Sequence, residues 1–272
     1  MINSGAVVMD ERDKPIGVFD SGIGGLTVLK ELISKLPNEK FIYIADKKYC
    51  PYGTMTAEEI KERVQKITSY LVNCGTKAIV IACNTASVRV SSAREITSSP
   101  VIGVIEPTCE RAIQSTKNKR VAVLATLSTI DSGIYQKLLK ARGITPVALA
   151  CSEFVDFLEN NGINDASGDK MVADKLRAIK DSGIDTLIHG CTHFSLLEGR
   201  MRSVLGDKIT YISCGAPVAD LLEKILYEKR LLSYQNGGGS VIIYTTGDSE
   251  RAEKSMKWFA VPHPPVRHVD ID

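Results

Sequence analysis

Two cysteines stand where proton chemistry would want them. Cys83, in "KAIVIACNTAS", and Cys191, in "DTLIHGCTH", each close an apolar run and are followed by polar residues. Asn84 and Thr85 follow the first; Thr192 and His193 follow the second. Such runs read as buried strands, and ligand sites in open α/β sheets lie beyond the carboxyl ends of the strands. Two thiols reaching one cleft from opposite sides suit inversion of a stereocentre by proton transfer. That reaction needs a base on one face of the carbon and an acid on the other. An ordinary thiol has a pKa of about 8.5, so a modest depression at a helix N-terminus is expected to make the thiolate accessible near neutral pH. Asn84, Thr85, Thr192 and His193, with the N–H groups at those turns, are expected to hold a carboxylate. His193 reads equally as a neighbouring acid or as a core histidine.

The elements that must position these residues repeat. Short runs rich in β-branched residues ("PIGVFD", "KFIYIAD", "KAIVIAC", "VIGVI", "RVAVLAT", "TPVALAC", "DTLIHGC", "ITYIS", "VIIYTTG") alternate with amphipathic stretches such as "GLTVLKELISKL", "EEIKERVQKITSYLVNCG" and "IYQKLLKARG". Strands apolar nearly throughout and joined by helices imply parallel sheets covered on both faces. "IGVFDS" superimposes on "VAVLAT", setting Ser21 opposite Thr126, and "YIAD" on "ALAC". The step from Gly75 to Cys83 equals that from Gly183 to Cys191, eight residues. Three coincidences in register point to an α/β protein of two related lobes with the site between them. The first lobe is placed at 1–105, its repeat beginning near residue 15, and the second at 106–212. The remainder, 213–272, carries the strand "SVIIYTTGD" and the helix "ERAEKSMKWFA" and is expected to return to the first lobe. "YQNGGGS" reads as a turn before that strand.

Other motifs are less specific. "DSGIGGLT" begins like G-x-G-x-x-G, but Thr27 stands where the third glycine belongs, which argues against a dinucleotide. A turn whose N–H groups face a small anion fits better, with Asp20 and Ser21 adding side chains. Asp20 is also placed to orient a thiol or to cap a helix. "CPYG" forces a turn through Pro51 and Gly53, and its Tyr52 either packs or covers the cleft as a lid. His263 and His268 read as surface residues. Cys74, Cys109, Cys151 and Cys214 read as inert, buried thiols.

Composition excludes several classes. The 272 residues are 44% apolar and 24% charged, with 34 basic against 32 acidic side chains and a net charge of +2. That balance gives no sign of a nucleic-acid or membrane partner. Neither a signal peptide nor a membrane-spanning run is evident, so a soluble, cytoplasmic chain is expected. Seven single cysteines without a Cys-x-x-Cys pair, and four scattered histidines, suggest neither a zinc site nor a disulfide framework.

Taken in order, "IGVFDSGIGGLTVLKEL", "YIADKKYCPYG", "ACNTAS", "GVIEP", "ATLSTIDSGIYQKLL", "FVDFLE", "GCTHF" and "YTTGD" resemble the glutamate racemase family. The resemblance covers about residues 15–259. It implies cofactor-independent interconversion of L- and D-glutamate, supplying D-glutamate for bacterial peptidoglycan. Cys83 and Cys191 would be the two acid/base residues, the first serving D-glutamate and the second L-glutamate. Asp20, Ser21, Tyr52, Gly53, Asn84, Thr85, Thr192 and His193 would contact substrate, with Thr126 and Thr129 as a further polar patch. Glu159, in "FVDFLE", matches an acidic residue thought to assist catalysis. Aspartate racemases share the architecture, but they carry a different glycine motif and a glutamate at the position of His193.

The chain departs from the family pattern at Ala45, Lys47, Ser152, His189, Phe194 and Ser195. Every contact residue named above is retained, so rate, regulation or assembly is touched more than chemistry. His189 either perturbs the Cys191 thiol or points into the helix layer. Other readings stay open: a paralogue acting on an amino acid such as aspartate, a cysteine hydrolase using Cys191 beside His193, and an amino-acid-binding protein without catalysis. The hydrolase leaves Cys83 without a role. A pyridoxal enzyme would need a Schiff-base lysine, and no lysine stands out at a strand end. The oligomeric state is open, a homodimer being one expectation.

Overall fold

Helical crossovers return the chain to the same end of the sheet after each strand, so the strands run parallel. The computed structural model describes residues 10–234, 238–257 and 264–272. Its strands are β1 (Ile16–Asp20), β2 (Lys40–Ala45), β3 (Ala78–Ile81), β4 (Val101–Gly103), β5 (Arg120–Ala125), β6 (Thr145–Ala150), β7 (Thr186–Gly190), β8 (Thr210–Ile212), β9 (Ser240–Thr245) and β10 (Arg267–His268). The first half contributes helices α1 (Leu26–Lys35), α2 (Ala57–Asn73), α3 (Asn84–Ser87), α4 (Val90–Arg94), α5 (Ile105–Ser115) and α6 (Leu127–Asp131). The second contributes α7 (Ile134–Lys140), α8 (Ser152–Asn161), α9 (Ser167–Leu176), α10 (Glu198–Leu205), α11 (Gly215–Glu228) and α12 (Ser249–Met256).

The first sheet has the order β10-β9-β2-β1-β3-β4 and the second β6-β5-β7-β8. Without β9 and β10 the two orders are the same, as the internal repeat requires. Each reverses direction beside its first strand. Switch crevices therefore open at the carboxyl ends of β1 and β3 and of β5 and β7. The described parts of segment 213–272 lie on the first sheet: α11 packs on α1 through Val218, Leu222 and Leu226, and β9 pairs with β2 from Lys40↔Ser240 to Ala45↔Thr245.

Alternating side chains cover both faces. Ile16, Val18 and Val80 enter the layer of α1 and α11, whereas Phe19, Ile79 and Ile81 meet α2. A capping box between Thr56 and Glu59 starts α2, a device contributing about 1 kcal/mol. The second sheet is covered by α8, α9 and α10 on one face and by α5 and α7 on the other. The expectation of strands buried throughout fails at β6, which is half-exposed. It is an edge strand, and Pro146 fits there because an edge leaves room for a missing donor. β10 escaped notice in the sequence because two residues carry no periodicity. Residues 235–237 of "YQNGGGS", residues 258–260 of the predicted last helix, and His263 lie outside the described residues. His268 is exposed, with Nδ1 3.0 Å from the Gly247 carbonyl.

No helix among the described residues is long and apolar enough to cross a membrane. All seven cysteines are free thiols.

Candidate active site

Cys83 follows β3 and is the N-cap of α3; Cys191 follows β7 and opens a 3₁₀ turn over Thr192–Leu197. Both thiols line one cavity, together with Ser21, Tyr52, Gly53, Asn84, Thr85, Thr126, Thr192 and His193. Its volume is about 20 Å³, room for about one water molecule. Larger clefts of about 300 and 390 Å³ flank it, the first beside Lys47, Pro51 and Glu159, the second beside Gly53, Thr85 and Leu127. In this closed arrangement the lobes must part to admit anything of amino-acid size.

Around Cys83, Sγ stands 3.5 Å from Ser21 Oγ and accepts the Ala86 N–H at 3.4 Å. Asp20, at the end of β1, is fully buried, and its Oδ2 accepts the N–H groups of Gly22 at 3.2 Å and Gly25 at 3.0 Å. Its Oδ1 has no hydrogen-bond partner among the described residues. The glycine turn thus spends these two N–H groups on Asp20 itself rather than on an outside anion. Its glycines also serve lobe contact. A Cβ on Gly24 would lie 2.4 Å from Thr192 Oγ1 and 2.6 Å from His193 Nδ1, so only glycine admits the second lobe there.

Around Cys191 the company differs. Sγ is 3.9 Å from His193 Nδ1, His193 Nε2 is 2.9 Å from Glu159 Oε1, and Glu159 Oε2 is 2.6 Å from Lys47 Nζ. His193 is buried, lines the cavity with both thiols, and has its Nε2 satisfied by Glu159. Burial alone would raise Glu159, but the hydrogen bond and charge of His193, with Lys47, hold its carboxyl at about 2.

The expected thiol depression is overturned. Burial pushes Cys83 up to about 12, the Asp20 charge adding to it and the N–H of Ala86 and the hydroxyl of Ser21 opposing it. Burial raises Cys191 well above the ordinary thiol range against a backbone hydrogen bond at His193. Burial also raises Asp20, opposed by the His193 charge. A helix N-terminus and a few polar neighbours do not outweigh a fully buried sulfur.

The remaining polar residues form tight groups. Thr85, Thr126 and Thr129 bond mutually at 3.0–3.2 Å across the lobes. Gly53 lets the turn abut Thr126, whose Cβ would be 3.4 Å from an added Cβ. Asn84 accepts the Tyr135 hydroxyl at 2.6 Å and donates to Cys214 Sγ at 3.5 Å; burial raises the Cys214 thiol. Tyr52 lines the cavity but is not a free lid: it is buried and its hydroxyl donates to Asp46. Asp46 also holds Arg63 through Nε at 3.0 Å and Nη2 at 2.9 Å, and Thr246 at 2.8 Å. Sequence reasoning missed this hub. Its one signal was a charged residue ending an apolar strand, as at Asp20.

The departures from the family pattern have local explanations. Ser152 Oγ accepts the Leu127 N–H at 2.9 Å, and Phe194 stacks edge-on against Phe154 at 5.4 Å. Ser195 donates to the Thr192 carbonyl at 3.3 Å, and Ala45 is buried opposite Asp20. His189 points into the helix layer: its Nδ1 is 3.8 Å from Glu198 of α10, and its ring lies 6.1 Å from Tyr211. Burial holds it down at about 4, against the pull of Glu198.

A sequence model of the Asp/Glu/hydantoin racemase family matches residues 16–221. Glutamate racemase of Corynebacterium glutamicum is 42% identical over 254 residues, 92% of this chain and 93% of the relative. That of Bacillus cereus is 36% identical, covering 96% and 98%. Among solved structures, a glutamate racemase isoform of Bacillus anthracis superimposes with a TM-score of 0.90 at 36% identity, covering 96% of this chain and 98% of that one. Glutamate racemase from Francisella tularensis in complex with D-glutamate gives 0.84 at 29% identity, covering 96% and 98%. With near-complete coverage in sequence and in structure, the chain belongs to the Asp/Glu/hydantoin racemase family.

Proposed function

We propose that this protein interconverts L- and D-glutamate without a cofactor, Cys83 and Cys191 acting as the two acid/base groups. The observation that carries the reading is the single cavity lined by both thiols, one from each lobe. One thiolate removes the Cα proton and becomes a thiol; the opposite thiol delivers its proton to the other face and becomes a thiolate. Cys83 serves D-glutamate and Cys191 L-glutamate, and solvent exchange resets the pair. The similar glutamate racemases, and the neighbour solved with D-glutamate, support glutamate as substrate.

The raised thiols define what substrate must supply. At pH 7, ionising a thiol held at about 12 costs about 7 kcal/mol. The α-ammonium of a bound amino acid offsets part of that cost, so the thiolate forms only when there is a proton to take. Ser21, Asn84, Thr192 and the Thr85–Thr126–Thr129 group supply donors to the two carboxylates, stabilising the carbanion-like transition state. Tyr52 and Gly53 wall the cavity. Asp20 beside Cys83, and His193 with Glu159 beside Cys191, assist the thiols. D-glutamate for peptidoglycan, a cytoplasmic location and a homodimer belong to the same reading; sedimentation of the purified chain checks the last.

Proton NMR of L-glutamate with purified protein in D₂O tests the proposal. Loss of the α-proton signal with appearance of D-glutamate is expected. Exchange of aspartate instead would move the substrate assignment, and no exchange of either would overturn the racemase reading.

A further inference from the structure

Lys47 has no place in the two-thiol scheme, yet it reaches the site from the opposite lobe. It leaves the 3₁₀ turn Lys47–Tyr49 after β2, while Glu159 sits near the end of α8 over the second sheet. Their 2.6 Å ion pair spans the cleft, each side chain only 17% exposed. Arg111–Asp220, also 2.6 Å, joins α5 to α11 beside the chain crossings, with side chains 40% and 48% exposed. The first pair lies at the cleft rim, and the second bridges α5 and α11 away from it. Screening weakens the exposed pair more than the sheltered one.

The carboxylate of Glu159 is divided: Oε2 takes Lys47, and Oε1 takes His193, whose other nitrogen faces Cys191. A carboxylate bonded through one oxygen can rotate; bonded through both it is fixed. Pro51 and Val155 line both the inner cavity and the 300 Å³ cleft outside it, and Lys47 and Glu159 line the outer cleft beside them.

We propose that Lys47 is a closure-dependent positioning residue: it latches the rim over Cys191 and, by holding one oxygen of Glu159, fixes the other on His193. The proposal rests on the racemase reading; opening the lobes breaks the Lys47–Glu159 contact and leaves Glu159 and His193, both of the second lobe, held by one bond instead of two. Because L- and D-glutamate are equally stable, kcat/KM in the two directions must change together, whereas kcat and KM can shift separately.

The test compares wild type, Lys47→Met, Lys47→Arg, Glu159→Gln and the Lys47→Met/Glu159→Gln pair, by kinetics in both directions and by Cys191 alkylation with iodoacetamide followed by peptide mass spectrometry. Lys47→Met is expected to lower kcat/KM roughly tenfold, raise KM and speed Cys191 labelling, and Lys47→Arg to restore most of each. In the Glu159→Gln background, Lys47→Met should add little. Kinetics and labelling within twofold of wild type, or an undiminished effect without Glu159, would overturn the latch. If wild type racemises nothing, the racemase reading fails, and the labelling rates still decide whether Lys47 closes the rim.

Discussion

The two strand ends that carry the thiols are related by the repeat and differ in what surrounds them. Cys83-Asn84-Thr85 superimposes on Cys191-Thr192-His193, and Asp20 on Ala125. The first lobe thus keeps a carboxyl on its own β1 and a hydroxyl two residues past the thiol. The second has Ala125 there and carries an imidazole, which bonds Glu159 of α8. Both sulfurs are buried, 6% and 8% exposed, so the symmetric part of the design is a dry place for a thiol. The asymmetric part is the group that can exchange a proton with it.

The largest expected effect probes what the ends share. Cys83→Ser and Cys191→Ser should each lower racemisation by about 10³-fold or more in both directions, because a two-base path needs both groups. A variant retaining most activity would show that one end alone carries the chemistry. The next comparison separates them. His193→Asn should depress kcat for L-glutamate more, and Asp20→Asn that for D-glutamate, each by roughly 10- to 100-fold. Circular dichroism in both directions reads this, and equal losses in both would reduce the difference between the ends to packing.

The shared dryness has a pH signature. Since folded Cys83 is raised to about 12, the unfolded chain loses that proton first, and stability is complete below about pH 8.5 and falls above it. At pH 9.5 Cys83 alone should contribute a loss of about 1.4 kcal/mol, which Cys83→Ser removes; denaturant titrations at pH 7 and 9.5 measure it. Activity should rise from pH 7 to 9 as thiolate becomes cheaper, whereas depressed thiols would give a flat profile.

The smallest effect lies just behind the second thiol, where His189 stands in place of Ile81. Both His189 nitrogens are buried without hydrogen-bond partners among the described residues. His189→Ile should therefore stabilise by about 1 kcal/mol at pH 7 with kinetics unchanged. The folded value, about 4, lies below the ordinary one, so wild-type stability falls as pH drops from about 6.5 towards 4. The gain from His189→Ile should grow over that window, which thermal melts at pH 7 and 5 can follow.

Much of this was legible along the chain because it is local. Apolar runs of strand length, the glycines and capping residues that end them, and the spacing that places Ser21 against Thr126 and Cys83 against Cys191 all lie within short stretches. They sufficed for nine strands, a two-lobed α/β fold and the two thiols. Only the tertiary structure decided what depends on residues far apart. Lys47 meets Glu159 across 112 positions, Asp46 ties Tyr52 to Arg63 and Thr246, and Gly24 makes room for Thr192 and His193. The protonation of the thiols belongs to the same class. A thiol's pKa is set by how completely the rest of the molecule excludes water and by which charges it brings near, and neither is a property of the residues beside it in sequence.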